Sequence, residues 1–211
     1  MTFVFKTLKF RIFQPRSGKS EAFDELSEEF SKGVNHCFSI TKGHDIENRE
    51  LLNHMIYSEN SDYSLQKVCN LPSAMKQTAR DKALEIYKSH KRKQGRSPEI
   101  SQVPVVLDRR TFSLKKRDGF FRWFVGITTN HGKKYVPLHV VRQYRYPAKH
   151  LPQILNGELP IVKAELLKKN NECWIHIIVR IKIEKKNPGK PRAFYGIDLG
   201  EKRLATCVSL R

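Results

Sequence analysis

The residues best suited to chemistry lie near the end of the chain, in the segment 194–208. Apolar Tyr195, Ile197 and Leu199 alternate with Asp198, so the segment predicts a buried strand that carries one carboxylate at its end. A glycine turn and a second strand follow. Fixed carboxylates suit two-metal nuclease chemistry, in which acid groups hold two Mg²⁺ ions about 3.5–4 Å apart. Asp198 alone cannot hold two ions.

The run Gly-Ile-Asp-Leu-Gly at 196–200 has three other interpretations. The same residues open the phosphate-binding strand of actin-like ATPases, where small hydroxyl residues usually follow, whereas Glu201-Lys202-Arg203 follow here. Holliday-junction resolvase-like proteins resemble this continuation better, although both groups carry the run at the start of the chain. A purely structural hairpin also stays open, because Asp and Gly favour turns.

The charge balance points to a polyanionic partner. The chain has 40 Lys and Arg against 21 Asp and Glu, which gives a formal net charge of +19. Folding does not need this excess, which opposes compaction by self-repulsion. Nucleic acid is the most common compensating partner. Hydrophobic residues make up 39% of the chain, which is typical of a globular protein rather than a disordered one.

The sequence also argues against several classes of protein. It contains no apolar run of about 18 residues and no signal-peptide pattern at its start, so we expect no membrane partner. The four cysteines, Cys37, Cys69, Cys173 and Cys207, are far apart and form no C-x-x-C pair. This spacing argues against a zinc site and a disulfide framework, and it favours a reducing cytoplasm.

Hydrophobic periodicity predicts the N-terminal elements. Residues 2–13 alternate as a strand, and residues 20–38 follow a helical period. Glu21, Asp24 and Glu25 are expected in the first turn of that helix, where its dipole favours acid. A short helix is predicted around 51–56. A further helix is predicted from Pro72-Ser73 to about Gln94, with Lys76 and Arg80 on its outside.

After residue 100 the period changes to two. Strands are predicted at 103–107, 111–114, 120–129, 135–141, 164–167 and 173–183. Turns are predicted at Arg117-Asp118-Gly119, Asn130-His131-Gly132 and 168–172. Many short strands at regular spacing favour a small antiparallel barrel, which the first strand is expected to join. For Phe120, Phe121, Trp123 and Phe124, core packing is favoured over stacking on bases.

The ordered set of features resembles the N-terminal half of the TnpB family, the RNA-guided nucleases of bacterial insertion sequences (OrfB-type proteins) that are related to type V CRISPR effectors. The segments that carry the resemblance are 5–12, the basic helix entered by Leu71-Pro72-Ser73, 105–114, 164–169 with 174–176, and 196–200.

This resemblance implies an α+β fold. An antiparallel, wedge-like barrel with an inserted helical segment would precede the first strands of an incomplete RNase H-like (RuvC) domain. The expected divisions are the first barrel strand at 1–15, the helical recognition segment at 16–95, the rest of the barrel at 96–184, a linker at 185–191 and the start of the RuvC-like domain at 192–211. It also implies binding of a guide RNA and of double-stranded target DNA, with Asp198 as the first catalytic, metal-binding carboxylate.

The chain also departs from the family pattern. The later Glu and Asp of such a nuclease and its zinc ribbon are missing, so Mg²⁺ is expected only in a complete parent and no cofactor is expected to bind tightly here. We therefore expect a fragment that does not cut DNA alone, with its end forming a two-stranded ribbon. The alternative is a non-catalytic RNA- or DNA-binding module, either a nuclease-dead repressor or a degraded transposon product.

Candidate contacts to nucleic acid are the clustered cations. They are Lys9, Arg11, Lys76, Arg80, Lys91, Arg92, Lys93, Arg96, Arg109, Arg110, Lys115 and Lys116.

Overall fold

The computed structural model describes residues 2–13, 15, 17–58, 61–93, 100–140, 145–183, 194–198 and 206–210, with backbone alone for 145–146 and the last two ranges. Its first elements are strand β1 (Thr2–Ile12), the helices α1 (Ser17–Gly43), α2 (Arg49–Tyr57) and α3 (Ser73–Lys93), and a short 3₁₀ turn at Leu65–Lys67. Then come β2 (Val105–Leu107), β3 (Phe112–Lys116), β4 (Trp123–Thr129), β5 (Gly132–His139), α4 (Arg145–Ala148), α5 (Leu151–Leu155), β6 (Ile161–Lys169), β7 (Glu172–Ile183), β8 (Phe194–Asp198) and β9 (Thr206–Leu210).

Seven strands form one sheet in the order β2-β6-β7-β1-β5-β4-β3. Every pairing whose register is described is antiparallel. The two outermost strands, β2 and β3, are consecutive in the chain and are separated only by the turn 108–111. Asp108 closes this turn by accepting the backbone N–H groups of Arg110 at 2.8 Å and Thr111 at 3.2 Å. The sheet is therefore a nearly closed antiparallel barrel, as the regular strand spacing predicts.

Strand β1 lies in the middle of this sheet, between β7 and β5. Its Leu8, Phe10 and Ile12 are buried, and Ile12 is opposite the buried Leu138 of β5. The prediction that the first strand joins strands beyond residue 100 is confirmed. Because side chains alternate along a strand, the inward set fixes which residues face outward.

Residues with positive φ mark all three predicted turns, including Gly119 at 125°. In the β6–β7 hairpin, Asn170 and Asn171 have φ of 51° and 61°. In the β4–β5 hairpin, Thr129 is opposite Gly132, whose φ is +83°. Asn and Gly are the residues that adopt such angles at least cost, so the local sequence sets the register of both hairpins.

The helices pack against the barrel through one continuous apolar core. The helical stripe predicted for α1 is buried: Phe23, Leu26, Phe30, Val34 and Cys37. Gly33 allows a close approach, because a Cβ there would lie 3.2 Å from Cys69 Sγ and 3.6 Å from Ala79 Cβ of α3.

The acidic residues near the start of α1 have a different role from the predicted one. The helix begins at Ser17, so its first turn contains no acid, and the prediction that Glu21, Asp24 and Glu25 occupy that turn is wrong. Asp24 instead pairs with Lys168 of β6 at 2.8 Å. Glu25 accepts from Asn130 at 3.1 Å and contacts His131 Nε2 at 2.7 Å in the β4–β5 turn. These carboxylates attach the helix to the barrel.

The backbone divides into two compact units, Phe5–Ile181 and a smaller one made of Met1–Val4 with Lys182–Arg211. In the smaller unit β8 and β9 form a two-stranded antiparallel ribbon, as predicted for the end of the chain. The predicted linker 185–191 lies outside the described residues, and the proposed domain divisions remain predictions. The short helices α4 and α5 were not predicted from the sequence.

Candidate nucleic-acid interface

The outer surface of β3, β4 and β5 combines cations with aromatic rings. Val125 and Ile127 of β4 are buried, so Phe124, Gly126 and Thr128 face outward. The register brings Lys115 opposite Phe124 and Tyr135 opposite Gly126. Residues of three neighbouring strands therefore form one continuous surface.

Gly126 creates the space on which this surface depends. A Cβ at position 126 would lie 2.5 Å from Ser113 Oγ, 2.7 Å from Tyr135 Cε1 and 2.9 Å from Lys133 Cε. These distances are shorter than side-chain atoms tolerate, so the Tyr135 ring can lie across β4 only where the residue beneath it is glycine. Glycine inside a strand commonly marks such a close approach.

Two cations lie over these rings. Lys115 Nζ is 4.5 Å from the centroid of the Tyr135 ring. The Arg117 guanidinium carbon is 4.9 Å from the centroid of Phe124 and 5.8 Å from that of Tyr135. All these separations are within the range of cation–π attraction, about 6 Å. We call Lys115, Arg117, Phe124, Lys133 and Tyr135 the cation–aromatic face.

The cations of this face keep their charge uncompensated. Lys115, Arg117 and Lys133 are exposed, and none of them forms an ion pair with a carboxylate in the described part of the chain. Their combined field acts on Tyr135, whose phenol pKa is lowered, chiefly by the Lys115 ammonium and further by Lys133. An aromatic ring orients a cation without neutralising it, so these charges remain available to a phosphate.

The surface continues through β5 onto β1. Arg11 is opposite His139, and its Nε donates to His139 Nδ1 at 3.1 Å. Its Nη1 donates to Glu172 Oε1 at 2.5 Å, so Arg11 is partly neutralised. Lys9 is exposed on the same side of β1, and burial together with the charge of Lys9 lowers the pKa of His176.

Arg80 does not lie on the outside of α3, and that prediction is wrong. The residue is buried, with 4% of its surface exposed. Its guanidinium donates to Asp81 Oδ1 at 2.9 Å and 2.7 Å and also to Asn53 of α2. Lys76, one turn earlier, is partly exposed. Arg80 therefore holds α3 against α2 and is not positioned to contact a phosphate.

At the C-terminal end of α3, one of the clustered cations, Lys91, is compensated by nearby acids. Lys91 Nζ lies 2.7 Å from Asp45 Oδ1 and 2.8 Å from Glu47 Oε1, and these contacts raise the pKa of Lys91. Arg92 and Lys93 are exposed, and Arg92 Nε donates to the carbonyl of Lys88 at 3.2 Å. The predicted contact Arg96 lies outside the described residues.

The remaining predicted cations lie at the ends of β3. In the β2–β3 turn, Arg110 pairs with Asp108 at 2.6 Å, and Arg109 is exposed. Lys116 lies on the inner side of β3, in line with the buried Phe112 and the partly buried Leu114. It is nevertheless exposed, because the strand ends there, past the core. Alternation therefore separates Lys116 from Lys115, although the two residues are neighbours in sequence.

The expectation of core packing is wrong for Phe120 and also for Phe124, whose side chain faces outward. The Phe120 side chain is 94% exposed, and the strand predicted from residue 120 begins at Trp123. Phe121, Trp123 and Phe124 are partly buried. The turn that starts at Arg117 extends to Arg122, where the carbonyl accepts from the Arg117 N–H at 2.9 Å, so Phe120 lies in a loop.

Asp198 is the last residue of β8, opposite Thr206 of β9. Its side chain lies outside what the structure describes, and its roles in catalysis and metal binding stay predictions. Within the described residues no group of three or more His, Cys, Asp or Glu could hold a metal ion. The described helices include none long and apolar enough to cross a membrane.

Sequence reasoning missed Arg117, Lys133 and Tyr135 as members of the candidate interface. One usable signal was the alternation of side chains along a strand, which puts Ser113, Lys115 and Arg117 on the same side. The glycine within the β4 pattern was a second signal. Neither one reveals which aromatic ring crosses the glycine, because that requires the β4–β5 register.

No protein-family model matches the sequence, and no curated protein matches it. Among solved structures, the chain is similar to a protein in a cryo-EM structure of a Cas12f1–sgRNA–target DNA complex. The TM-score is 0.60 at 14% sequence identity, over 98% of this chain and 64% of that one. The match shows a shared fold. The chain thus spans less than two thirds of the length of that protein.

Proposed function

We propose that this chain is the nucleic-acid-binding part of an RNA-guided effector of the type V CRISPR and TnpB kind. In this proposal the cation–aromatic face binds the phosphate backbone of a guide RNA or of its double-stranded DNA target. The observation that carries the proposal is that Lys115 and Arg117 lie over aromatic rings with no carboxylate partner among the described residues. The net charge of +19 supports it, and so does the fold shared with a protein solved together with RNA and DNA.

The physical consequence is binding that depends strongly on salt. A duplex that loses counterions to several Lys and Arg contacts binds with a log affinity that falls by about 0.9 per contact for each tenfold rise in salt. We expect the purified chain to bind RNA and DNA duplexes with a slope of at least three, measured by fluorescence anisotropy across a salt series. Affinity that does not change with salt would contradict the proposal.

Cleavage forms a separate part of the proposal. We propose that Asp198 is the first carboxylate of a RuvC-like site in a complete parent and that this chain alone binds without cutting. The described residues supply no ligand set for Mg²⁺, so we assign the ion no step here. Mg²⁺-dependent cleavage by the purified chain that disappears in Asp198→Ala would contradict this part and leave the binding proposal intact. A module that only binds, such as a repressor, is the alternative.

A further inference from the structure

Beside the cation–aromatic face, aromatic side chains line a cleft at one end of the barrel. Phe13 follows β1, Phe120 and Phe121 belong to the β3–β4 loop, Trp123 begins β4 and His139 ends β5. The cleft has a volume of about 490 Å³, within the range of about 300–1,000 Å³ that is typical of small-ligand sites. We call it the aromatic cleft.

The rings in this cleft pack against one another tilted or edge-to-face, so none of these pairs is stacked face to face. The centroids of Phe13 and Phe121 are 4.6 Å apart, and those of Phe120 and Phe121 are 5.0 Å apart at an interplanar angle of 89°. Phe13 also contacts His139 with centroids 6.0 Å apart. Phe120 nevertheless remains 94% exposed, so one large face of the cleft is open to solvent. Core stability does not explain an aromatic residue in this position.

The cleft and the cation–aromatic face share the same strands. The loop that carries Phe120 and Phe121 is closed by the hydrogen bond between Arg117 and Arg122. Arg117 belongs to the cation–aromatic face, and Arg122 lines the cleft. A nucleic acid whose backbone lies on the face therefore passes directly beside the cleft.

We propose that the aromatic cleft binds one unpaired nucleobase of the nucleic acid that the cation–aromatic face holds. This inference rests on the proposed function and names a subsite within it. Every base has an apolar π face that stacks on aromatic rings, and Arg122 and His139 place polar groups in the wall for its edge. An apolar protein segment fits less well, because the adjoining cations attract phosphate rather than a hydrophobic chain.

The proposal is tested with a short RNA duplex that carries one unpaired 2-aminopurine and with the same duplex fully paired. We expect the chain to bind the unpaired probe about tenfold more tightly and to quench its fluorescence, as base–aromatic stacking does. Phe120→Ala should remove both the preference and the quenching. The side chain is 94% exposed, so this substitution removes no core contact.

The matched control is Phe5→Ala. Phe5 is 67% exposed and lies on β1, about 26 Å along the strand from Phe13 at ~3.3 Å per residue. This variant should keep both the preference and the quenching, because it leaves the cleft unchanged.

Equal affinity for the two probes, or an unchanged preference in Phe120→Ala, would overturn the proposal. Salt-dependent binding of both probes would persist in that case and would leave the proposed function standing. If neither probe showed salt-dependent binding, the proposed function would be contradicted, and the proposal of a base-binding subsite would fail with it.

Discussion

On the outer face of the barrel, Lys115 and Arg117 lie over aromatic rings, whereas at the end of α3 Lys91 lies between Asp45 and Glu47. A phosphate that approaches Lys91 must compete with two carboxylates, which also repel it. A phosphate that approaches Lys115 meets no such competitor among the described residues. Both regions look equally basic in sequence, and only the partners of each cation distinguish them.

This difference shows why a cluster of Lys and Arg is weak evidence for a binding site. Two of the helical cations hold the fold together, Arg80 through Asn53 of α2 and Lys91 through the loop after α1. On the barrel, the three cations of the cation–aromatic face form no ion pair among the described residues, and this is why we propose them for binding. If this view is right, substitutions in the helical segment should change stability, and substitutions on the barrel should change affinity.

The largest expected effect is on stability, in Arg80→Met. Removal of the guanidinium leaves Asn53 without its charged donor and Asp81 with Arg49 alone, at 3.0 Å, so the free energy of unfolding should fall by about 2–3 kcal/mol, since groups bonded to a charge are costly to leave unpaired. Urea denaturation measures the change. Arg92→Met is the control and should be nearly neutral, because Arg92 is exposed. Neutral behaviour of Arg80→Met would refute its structural role.

One glycine substitution in each region tests the same comparison. Gly126→Ala places a Cβ within 3 Å of three side-chain atoms, so Tyr135 must move, at a cost of about 1–3 kcal/mol. Because the Tyr135 ring orients Lys115, RNA affinity should fall as well. Gly33→Ala, on α1, crowds Cys69 Sγ at 3.2 Å but gains about 1 kcal/mol of helix propensity, and it should leave RNA affinity unchanged whatever its net effect on stability. Denaturation and anisotropy on both variants check this, and equal affinity losses would contradict it.

A smaller effect on stability depends on pH. It concerns the contact between Glu25 of α1 and the β4–β5 turn of the barrel. Hydrogen bonds from Asn130 and His131 lower the pKa of Glu25 below its ordinary value of 4.5. Because the folded pKa is lowered, these contacts stabilise the fold above the ordinary value, and their contribution is lost as pH falls through the lowered pKa. Glu25→Gln should therefore have a lower Tm than the parent at neutral pH.

In strongly acidic buffer the two Tm values should converge, since the parent then carries a neutral Glu25. Glu21→Gln provides the control on the same helix, at an exposed position. A Tm difference for Glu25→Gln that stays constant from neutral to acidic pH would show that the charge of Glu25 does not matter.

The smallest effect is spectroscopic. The Lys115 ammonium lowers the pKa of Tyr135, so Lys115→Met should raise that pKa towards its ordinary value. Ultraviolet titration, with Tyr135→Phe subtracted to isolate the one phenol, measures the shift. An unchanged titration would mean that Lys115 does not lie on the ring.

The parts of the fold that depend on local pattern were predictable. The alternation from Cys173 to Val179 gave β7, and the apolar stripe from Phe23 to Cys37 gave α1. The Asn and Gly residues gave the hairpin turns. Each signal is contained in a few adjacent residues, so no knowledge of the tertiary structure was needed.

Other features depend on contacts between distant residues. Arg80 borders the apolar stripe of α3, and only the position of Asn53 on α2 explains why its charge is buried. The acids of α1 were assigned to a helix terminus because their partners, Lys168 and His131, lie more than 100 positions away in sequence. Phe120 lies inside a loop that the Arg117–Arg122 hydrogen bond closes, and the Asp-Gly pair in the sequence marks only the start of that loop.

The most direct test of the central claim compares two triple variants that each remove three positive charges. One is Lys115→Gln/Arg117→Gln/Lys133→Gln on the barrel, and the other is Lys32→Gln/Lys82→Gln/Lys91→Gln on the helices, where each lysine pairs with a carboxylate. For the barrel variant we predict that the slope of log affinity against log salt decreases by about two to three, close to 0.9 per lost contact, while the helical variant stays near the parent. A larger loss in the helical variant, or equal losses in both, would contradict the account.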